Sequence, residues 1–97
     1  MAYSIKWSPR AASHFEEIYN YIAKDSRYYA ALFAKKIVSI VKTIPHFPKA
    51  GRIVPEYNNE NLREKIYKNY RIVYRIKSEV IEIVAVCHAA RPLENIL

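Results

Sequence analysis

The chain has 97 residues, of which 52% are hydrophobic and 26% charged, a balance typical of one globular domain. A single cysteine excludes an internal disulfide framework and fits a reducing compartment. No apolar run is long enough to cross a membrane, and the first ten residues lack the apolar segment of a signal peptide, so we expect a cytoplasmic protein.

The net charge of +7 is spread over both halves of the chain. A positive surface of this size favours nucleic acid or an acidic protein partner, and a solvated surface kept soluble by its charge is the alternative. The one glycine argues against a glycine-rich phosphate loop. The three histidines are far apart and no Cys/His pair has zinc-ligand spacing, so we expect neither a metal nor a cofactor.

The N-terminal half predicts a short strand followed by two helices. Residues 2–7 alternate around aromatic and apolar side chains, and Ser8-Pro9 is typical of a helix start. Asp25-Ser26 separates the helices, and Pro45 ends the second. The apolar stripes are Phe15, Ile18, Tyr19 and Ile22 in the first helix, and Ala30, Phe33, Ile37, Ile40, Val41 and Ile44 in the second. Helices joined by so short a break should form an antiparallel hairpin.

Residues 45–61 form a long connection that carries three prolines, the glycine, Lys49 and Arg52. A connection of this length in a small domain is usually functional or mobile.

Residues 62–91 predict a three-stranded antiparallel meander, with breaks at Lys68-Asn69 and at residues 77–79. The favoured registers place Tyr67 opposite Arg71 and Arg75 opposite Glu82, because a one-residue slip mixes charges into the core. These registers leave one face mainly apolar. They place five basic side chains on the other face: Arg63, Lys65, Arg71, Arg75 and His88.

The element order β-α-α-β-β-β predicts an α+β fold in which a helical hairpin packs on the apolar face of an antiparallel sheet. The basic face then lies open to solvent or a partner. The first strand joins the sheet at an edge or beside the last strand, and the sequence leaves both open.

Several side chains of the meander could carry chemistry. Arg71 and Arg75 suit bidentate recognition of phosphate or carboxylate, or they line an exposed face with Arg75 paired to Glu82. His88 could be a general acid or base, or an exposed strand end. Cys87 points away from His88 and is expected in the core. Tyrosines 57, 67 and 70 could stack on bases or cover half-buried surface, and tyrosines 28 and 29 are expected in packing or an interface.

The chain resembles the RelE/ParE superfamily of toxins from type II toxin–antitoxin modules. The resemblance rests on the order and spacing of WSPRA, the helical hairpin, FPKAGRIVPE, NYRIVYRI and VAVCHAARPL. It implies a single toxin domain over residues 1–97, with a helical hairpin on an antiparallel sheet. It also implies a growth inhibitor, of the kind linked to plasmid stabilisation, that a cognate antitoxin neutralises, for example in a heterotetramer.

The superfamily has two kinds of target. RelE-like members cut messenger RNA in the ribosomal A site, whereas ParE-like members inhibit DNA gyrase and have no established nuclease site. Arg71 matches the strand arginine of the RelE-like nucleases, but Ala89 stands where they have an arginine, and no tyrosine follows. The ending HAARPL is more similar to the ParE-like branch, so the resemblance implies gyrase inhibition without catalysis.

If the chain is instead a ribosome-dependent endoribonuclease, the resemblance implies a minimal catalytic set of Arg71, His88 and Arg91. For either target, the expected contact residues are Lys49, Arg52, Arg63, Lys65 and Arg75. A third reading is a non-toxic module that binds nucleic acid or an antitoxin.

Overall fold

Two helices cover one face of a five-stranded sheet in the computed structural model, which describes residues 3–93. The helices are α1 (Pro9–Asp25) and α2 (Arg27–Thr43), and the strands are β1 (Ser4–Trp7), β2 (Arg52–Ile53), β3 (Leu62–Tyr67), β4 (Tyr70–Ile76) and β5 (Val80–His88). The strand order is β1-β5-β4-β3-β2, with β1 parallel to β5 and the other pairs antiparallel. The predicted α+β fold is confirmed. The sheet is mixed because β1 is parallel to β5, and β1 lies both at an edge and beside the last strand.

Short polar signals begin and end the helices as predicted. The Ser8 hydroxyl accepts a hydrogen bond from the Ala11 N–H at 3.0 Å, and Pro9 is the first residue of α1. Ser26 ends α1 by donating its N–H to the Ile22 carbonyl at 3.0 Å, and its side chain caps α2 by accepting from the Tyr29 N–H at 3.1 Å. One residue therefore separates the helices and sets them antiparallel.

The main core lies between the helices and the sheet. Its buried residues include Phe33 and Ile37 of α2, Ile72 and Tyr74 of β4, and Ile83 of β5. A series of aromatic contacts runs through it, with ring centroids 5.5 Å apart for Trp7–Phe15, 5.8 Å for Phe15–Phe33 and 5.0 Å for Phe33–Tyr70.

The predicted registers of the meander are wrong in two places. The β3–β4 turn has two residues, with Lys68 at a φ of 52°, so that Tyr67 opposes Tyr70 rather than Arg71. In β5 the pairing skips Val84, because Tyr74 opposes Ile83 while Val73 opposes Ala85; this is a β-bulge. The Arg75–Glu82 pairing is confirmed, but beyond the bulge each residue of β4 opposes a residue one position later than predicted.

The face of the sheet away from the helices is not the open basic surface that we expected. A second buried cluster covers it: Val54, Leu62, Val73, Val84, Ala85, Cys87 and Leu93. The predicted connection supplies part of this cover, and it also contains β2 and two short 3-10 turns, Ile44–His46 and Pro48–Ala50. Residues 94–97 of the expected tail lie outside the described part of the chain.

The only glycine allows this connection to approach the sheet. A Cβ at Gly51 would lie 2.8 Å from the Glu64 carbonyl oxygen and would also press on the Tyr74 hydroxyl. That hydroxyl accepts a hydrogen bond from the Gly51 N–H at 3.2 Å and donates one to the Pro48 carbonyl at 2.5 Å. The connection is therefore tied to the centre of β4.

A group of four charges, the ion cluster of Arg52, Glu56, Glu64 and Arg71, holds the same connection against the far face. Arg71 donates from Nε to Glu64 Oε1 at 2.6 Å, and its two terminal nitrogens donate to the two Glu56 oxygens at 2.8 Å each. Arg52 donates to the second oxygen of Glu64. Arg71 is 4% exposed and Glu64 1%, so one arginine–carboxylate pair lies out of water, while Arg52 and Glu56 bind it from the solvent side.

These contacts shift the pKa values of Glu56 and Arg71. The hydrogen bonds from Arg71 lower the pKa of Glu56 to about 2, against the opposing effect of burial. The bonds to Glu56, and then to Glu64, raise the pKa of Arg71 above its ordinary value. Glu56 and Arg71 are therefore both charged at neutral pH.

We predict that Arg71→Gln lowers the free energy of unfolding by about 3–5 kcal/mol, because it leaves the buried Glu64 carboxylate without its buried partner. Arg75→Gln, four residues along the same strand and only half-buried, should cost no more than about 1 kcal/mol. Urea unfolding measures both. Adding Glu64→Gln to Arg71→Gln should recover part of the loss, and equal losses for the two arginines would contradict a structural role specific to Arg71.

We also predict a loss of stability in acid that depends on Glu56. Its pKa is lower in the folded protein (about 2) than the ordinary value of 4.5, so its contribution is complete above pH 4.5 and disappears as the pH falls toward 2. The urea midpoint should fall less over this range in Glu56→Gln than in the wild type. Glu60→Gln is the control, since Glu60 pairs with Lys49 on the surface and its replacement should leave the fall unchanged.

Candidate functional site

The five basic side chains that we expected on one face are divided between the two faces of the sheet. Directly opposed residues of an antiparallel pair share a face. Arg63 opposes Tyr74 and Lys65 opposes Ile72, which belong to the main core, so both lie on the helical side. His88 also lies on the helical side, because it opposes Tyr70. Arg71 opposes Cys87 and lies on the far face with Arg75, and the single-face prediction is therefore wrong.

The structural cause is the pair of register changes. The two-residue turn moves Arg63 and Lys65 to the face opposite Arg71, and the bulge at Val84 moves His88 away from Arg71. Cys87 is buried as predicted, although in the second cluster, and burial raises the pKa of its thiol.

Three of the predicted contact residues stabilise the connection between α2 and β3. Lys49 pairs with Glu60 at 3.2 Å, and Arg52 belongs to the ion cluster. Arg63 donates to the carbonyl oxygens of Glu60, Lys49 and Gly51 at 2.9, 3.1 and 2.9 Å. These contacts give the three side chains structural roles, and the prediction that they also contact a target stays a prediction.

His88 lies at the edge of a surface formed by five tyrosines, which we call the tyrosine surface: Tyr21, Tyr28, Tyr29, Tyr67 and Tyr70. It is formed by the closed end of the helical hairpin, the β3–β4 turn and the end of β5. One pocket, of about 230 Å³, is lined by Glu17, Ile18, Tyr21, Tyr70 and His88. A second, of about 140 Å³, is lined by Tyr29, Leu32, Phe33, Tyr67, Lys68 and Tyr70. The two pockets share Tyr70.

The aromatic rings of this surface are unusually open to solvent. Tyr21 is 71% exposed, Tyr28 69% and Tyr29 63%. Tyr28 and Tyr29 contact each other edge to face, and the Tyr70 and His88 ring centroids are 5.0 Å apart. Exposed apolar patches are typical of interaction sites, and tyrosine is enriched at such sites because its ring is apolar and its hydroxyl polar.

Sequence reasoning identified parts of this surface but not its assembly. It considered tyrosines 67 and 70 for stacking and 28 and 29 for packing or an interface, and the exposure of the latter two excludes burial in the core. It missed Tyr21. The sequence contained a signal for this assembly. Three tyrosines, Tyr21, Tyr28 and Tyr29, lie on either side of the capping residue Ser26, where the two helix ends must lie together.

The three residues proposed for catalysis do not form one site. Arg71 donates hydrogen bonds to two carboxylates on the far face, whereas His88 lies on the helical side. Arg91 is exposed beyond β5, and its backbone N–H donates to the His88 carbonyl at 3.0 Å. In residues 3–93, no three His, Cys, Asp or Glu side chains are close enough to hold a metal ion. No helix in that range is long and apolar enough to cross a membrane.

Comparisons with known proteins agree with the fold. A relative in Sinorhizobium fredii, the candidate toxin Y4kP, is 33% identical over 95 residues, which cover 96% of this chain and 95% of that protein. The chromosomal ParDE toxin–antitoxin system of P. aeruginosa contains a chain that superposes with a TM-score of 0.74 at 22% identity, covering 90% of this chain and 96% of that one. The RelBE2 toxin–antitoxin complex of Mycobacterium tuberculosis gives a TM-score of 0.64 at 15% identity, with coverages of 91% and 99%.

The two structural matches show a shared fold, and the evidence for the family comes from the sequence itself. A family model described as the ParE toxin of the type II toxin–antitoxin system parDE matches residues 5–93, nearly the whole chain. The chain therefore belongs to the ParE toxin family of type II toxin–antitoxin systems, within the RelE/ParE superfamily.

Proposed function

We propose that this toxin arrests growth in the cytoplasm by inhibiting DNA gyrase through a protein–protein contact, without catalysis, and that a cognate antitoxin neutralises it. The observation that carries the proposal is the separation of Arg71 from His88 by the thickness of the sheet. The alternative, cleavage of ribosome-bound messenger RNA, needs those two groups at one phosphate.

RNA cleavage by in-line attack requires an acid or base and a cation that converge on the same reacting group. Arg71 would have to leave Glu56 and Glu64 and cross to the other face of the sheet. On the helical side, the pocket beside His88 is lined by a carboxylate, an isoleucine and two tyrosines, and the cation of the adjoining pocket is Lys68. This lining favours contact with a protein over stabilisation of phosphate charge.

The tyrosine surface supplies a suitable contact area. Tyrosine gives a large, rigid contact for the loss of few rotatable bonds, and hot spots of protein interfaces are enriched in it. Tyr21 and Tyr29 stand on two helices that a single capping serine holds together, so their positions are fixed before binding. We therefore propose this surface as the part of the toxin that contacts gyrase.

The proposed antitoxin agrees with the charge of the chain and with its relatives. The net charge of +7 favours an acidic partner. The similar chains from P. aeruginosa and M. tuberculosis belong to toxin–antitoxin assemblies.

We predict that the purified toxin inhibits DNA supercoiling by gyrase, and that the double variant Tyr21→Ala/Tyr29→Ala raises the half-inhibitory concentration by at least about tenfold, as expected for hot-spot truncation. Both side chains are mainly exposed, so the variant should keep the melting temperature of the wild type. Tyr57→Ala is the matched control. Tyr57 is 40% exposed but does not line the tyrosine pockets, and its loss should leave inhibition unchanged within about twofold.

The same toxin, added to a reconstituted translation reaction, should leave ribosome-bound messenger RNA intact. Cleavage in the A site that His88→Ala abolishes, together with uninhibited gyrase, would overturn the proposal in favour of the nuclease. Normal growth of cells that express the folded protein would instead indicate the non-toxic module.

A further inference from the structure

One of the two pockets of the tyrosine surface combines aromatic rings with a carboxylate. This pocket, which we call the aromatic cleft, is lined by Glu17, Ile18, Tyr21, Tyr70 and His88. Helix α1 supplies the first three, and Glu17 and Tyr21 are spaced so that they lie on the same side of that helix. Tyr70 begins β4 and opposes His88 at the end of β5, so the sheet supplies the other wall.

The sheet wall of the cleft is held in place by the core. The ring centroids of Tyr70 and His88 are 5.0 Å apart, and the two ring planes are tilted by 46°. Tyr70 also contacts the buried Phe33 edge to face, with ring centroids 5.0 Å apart. Tyr21, by contrast, is mainly exposed. A side chain that enters the cleft therefore meets a fixed ring on the sheet and an accessible ring on the helix.

The charge of the cleft is opposite to that of the chain. The net charge is +7, yet the lining found within residues 3–93 contains the carboxylate of Glu17 and neither lysine nor arginine. The faces of the two tyrosine rings carry the negative part of the aromatic quadrupole. Carboxylate and ring faces together attract a cation with a flat apolar surface.

We infer that the aromatic cleft binds the guanidinium group of an arginine from a partner protein; given the proposed function, that arginine belongs to gyrase. The guanidinium would stack on the ring of Tyr21 or Tyr70 and donate hydrogen bonds to the Glu17 carboxylate, since a planar cation with several donors can do both. The cleft volume of about 230 Å³ is below the range of about 300–1,000 Å³ that is typical of small-molecule sites, and it suits one side chain.

The same lining argues against other occupants. A phosphate or a carboxylate would be repelled by Glu17. A leucine side chain would gain from the rings but would leave the carboxylate without a partner. A lysine ammonium is a compact and strongly hydrated point charge, so it stacks on a ring less well than a guanidinium does.

The test uses the toxin and short peptides of the form acetyl-Gly-Xaa-Gly-amide, in which the middle residue is arginine, citrulline or lysine. Citrulline keeps the shape and length of arginine but carries no charge. Titrations followed by NMR chemical shifts give the dissociation constants. We expect the arginine peptide to bind in the millimolar range with the largest shifts at the cleft, the citrulline peptide to bind at least about tenfold more weakly, and the lysine peptide at least about threefold more weakly.

Neighbouring glutamates provide a matched pair of variants. Glu17→Gln should weaken binding of the arginine peptide at least about fivefold, because it removes the charge of the carboxylate in the cleft. Glu16→Gln makes the same change in net charge at an adjacent exposed residue outside the cleft lining, and it should change the affinity by no more than about twofold.

The contribution of the helix ring can be measured separately. Tyr21→Leu should weaken binding of the arginine peptide at least about threefold, whereas Tyr21→Phe, which keeps the ring, should retain the affinity within about twofold. The comparison of peptides on the wild type needs no variant, so it decides the inference even if a variant fails to fold.

Equal binding of the arginine and citrulline peptides would overturn the inference, and equal binding of the lysine peptide would overturn the assignment to a guanidinium. Equal losses for Glu17→Gln and Glu16→Gln would also overturn it, because they would show a response to net charge alone. None of these measurements involves gyrase. If the peptides behave as expected and gyrase is not inhibited, the proposed function fails and the arginine site stands. If gyrase is inhibited and the peptides bind equally, the inference alone fails.

Discussion

The rest of the structure depends on the ionic contacts of Arg71 at the centre of the sheet. A guanidinium so deeply buried is tolerated only with opposite charges on it, and Glu56 and Glu64 supply them from two directions. Glu64 belongs to β3, but Glu56 belongs to the connection after α2. The bond to Glu56 therefore holds that connection over the face that the helices do not cover, and it helps to bury Val54 of the connection together with Leu62 of β3.

This constraint also decides which surfaces remain for partners. The far face of the sheet is closed by the second apolar cluster and the ion cluster, so its arginine stabilises the fold. On the helical hairpin and at the β3–β4 turn, by contrast, tyrosine and lysine side chains are exposed to solvent. The position of this strand arginine in the sequence suggests a phosphate site. In the structure it has a different role, because it binds acidic residues from two other segments.

The sequence predicted the elements well and their pairing less well, for physical reasons visible in particular residues. The starts and ends of the helices depend on residues close by in the sequence, namely Ser8, Ser26 and Pro45, so they could be predicted from the local sequence. The registers depended on Lys68 adopting a positive φ, which is uncommon outside glycine and asparagine, and on a bulge at Val84 that no local signal marks. Glu64, the one acid among the basic residues that precede the second break, was the available indication that Arg71 has an internal partner.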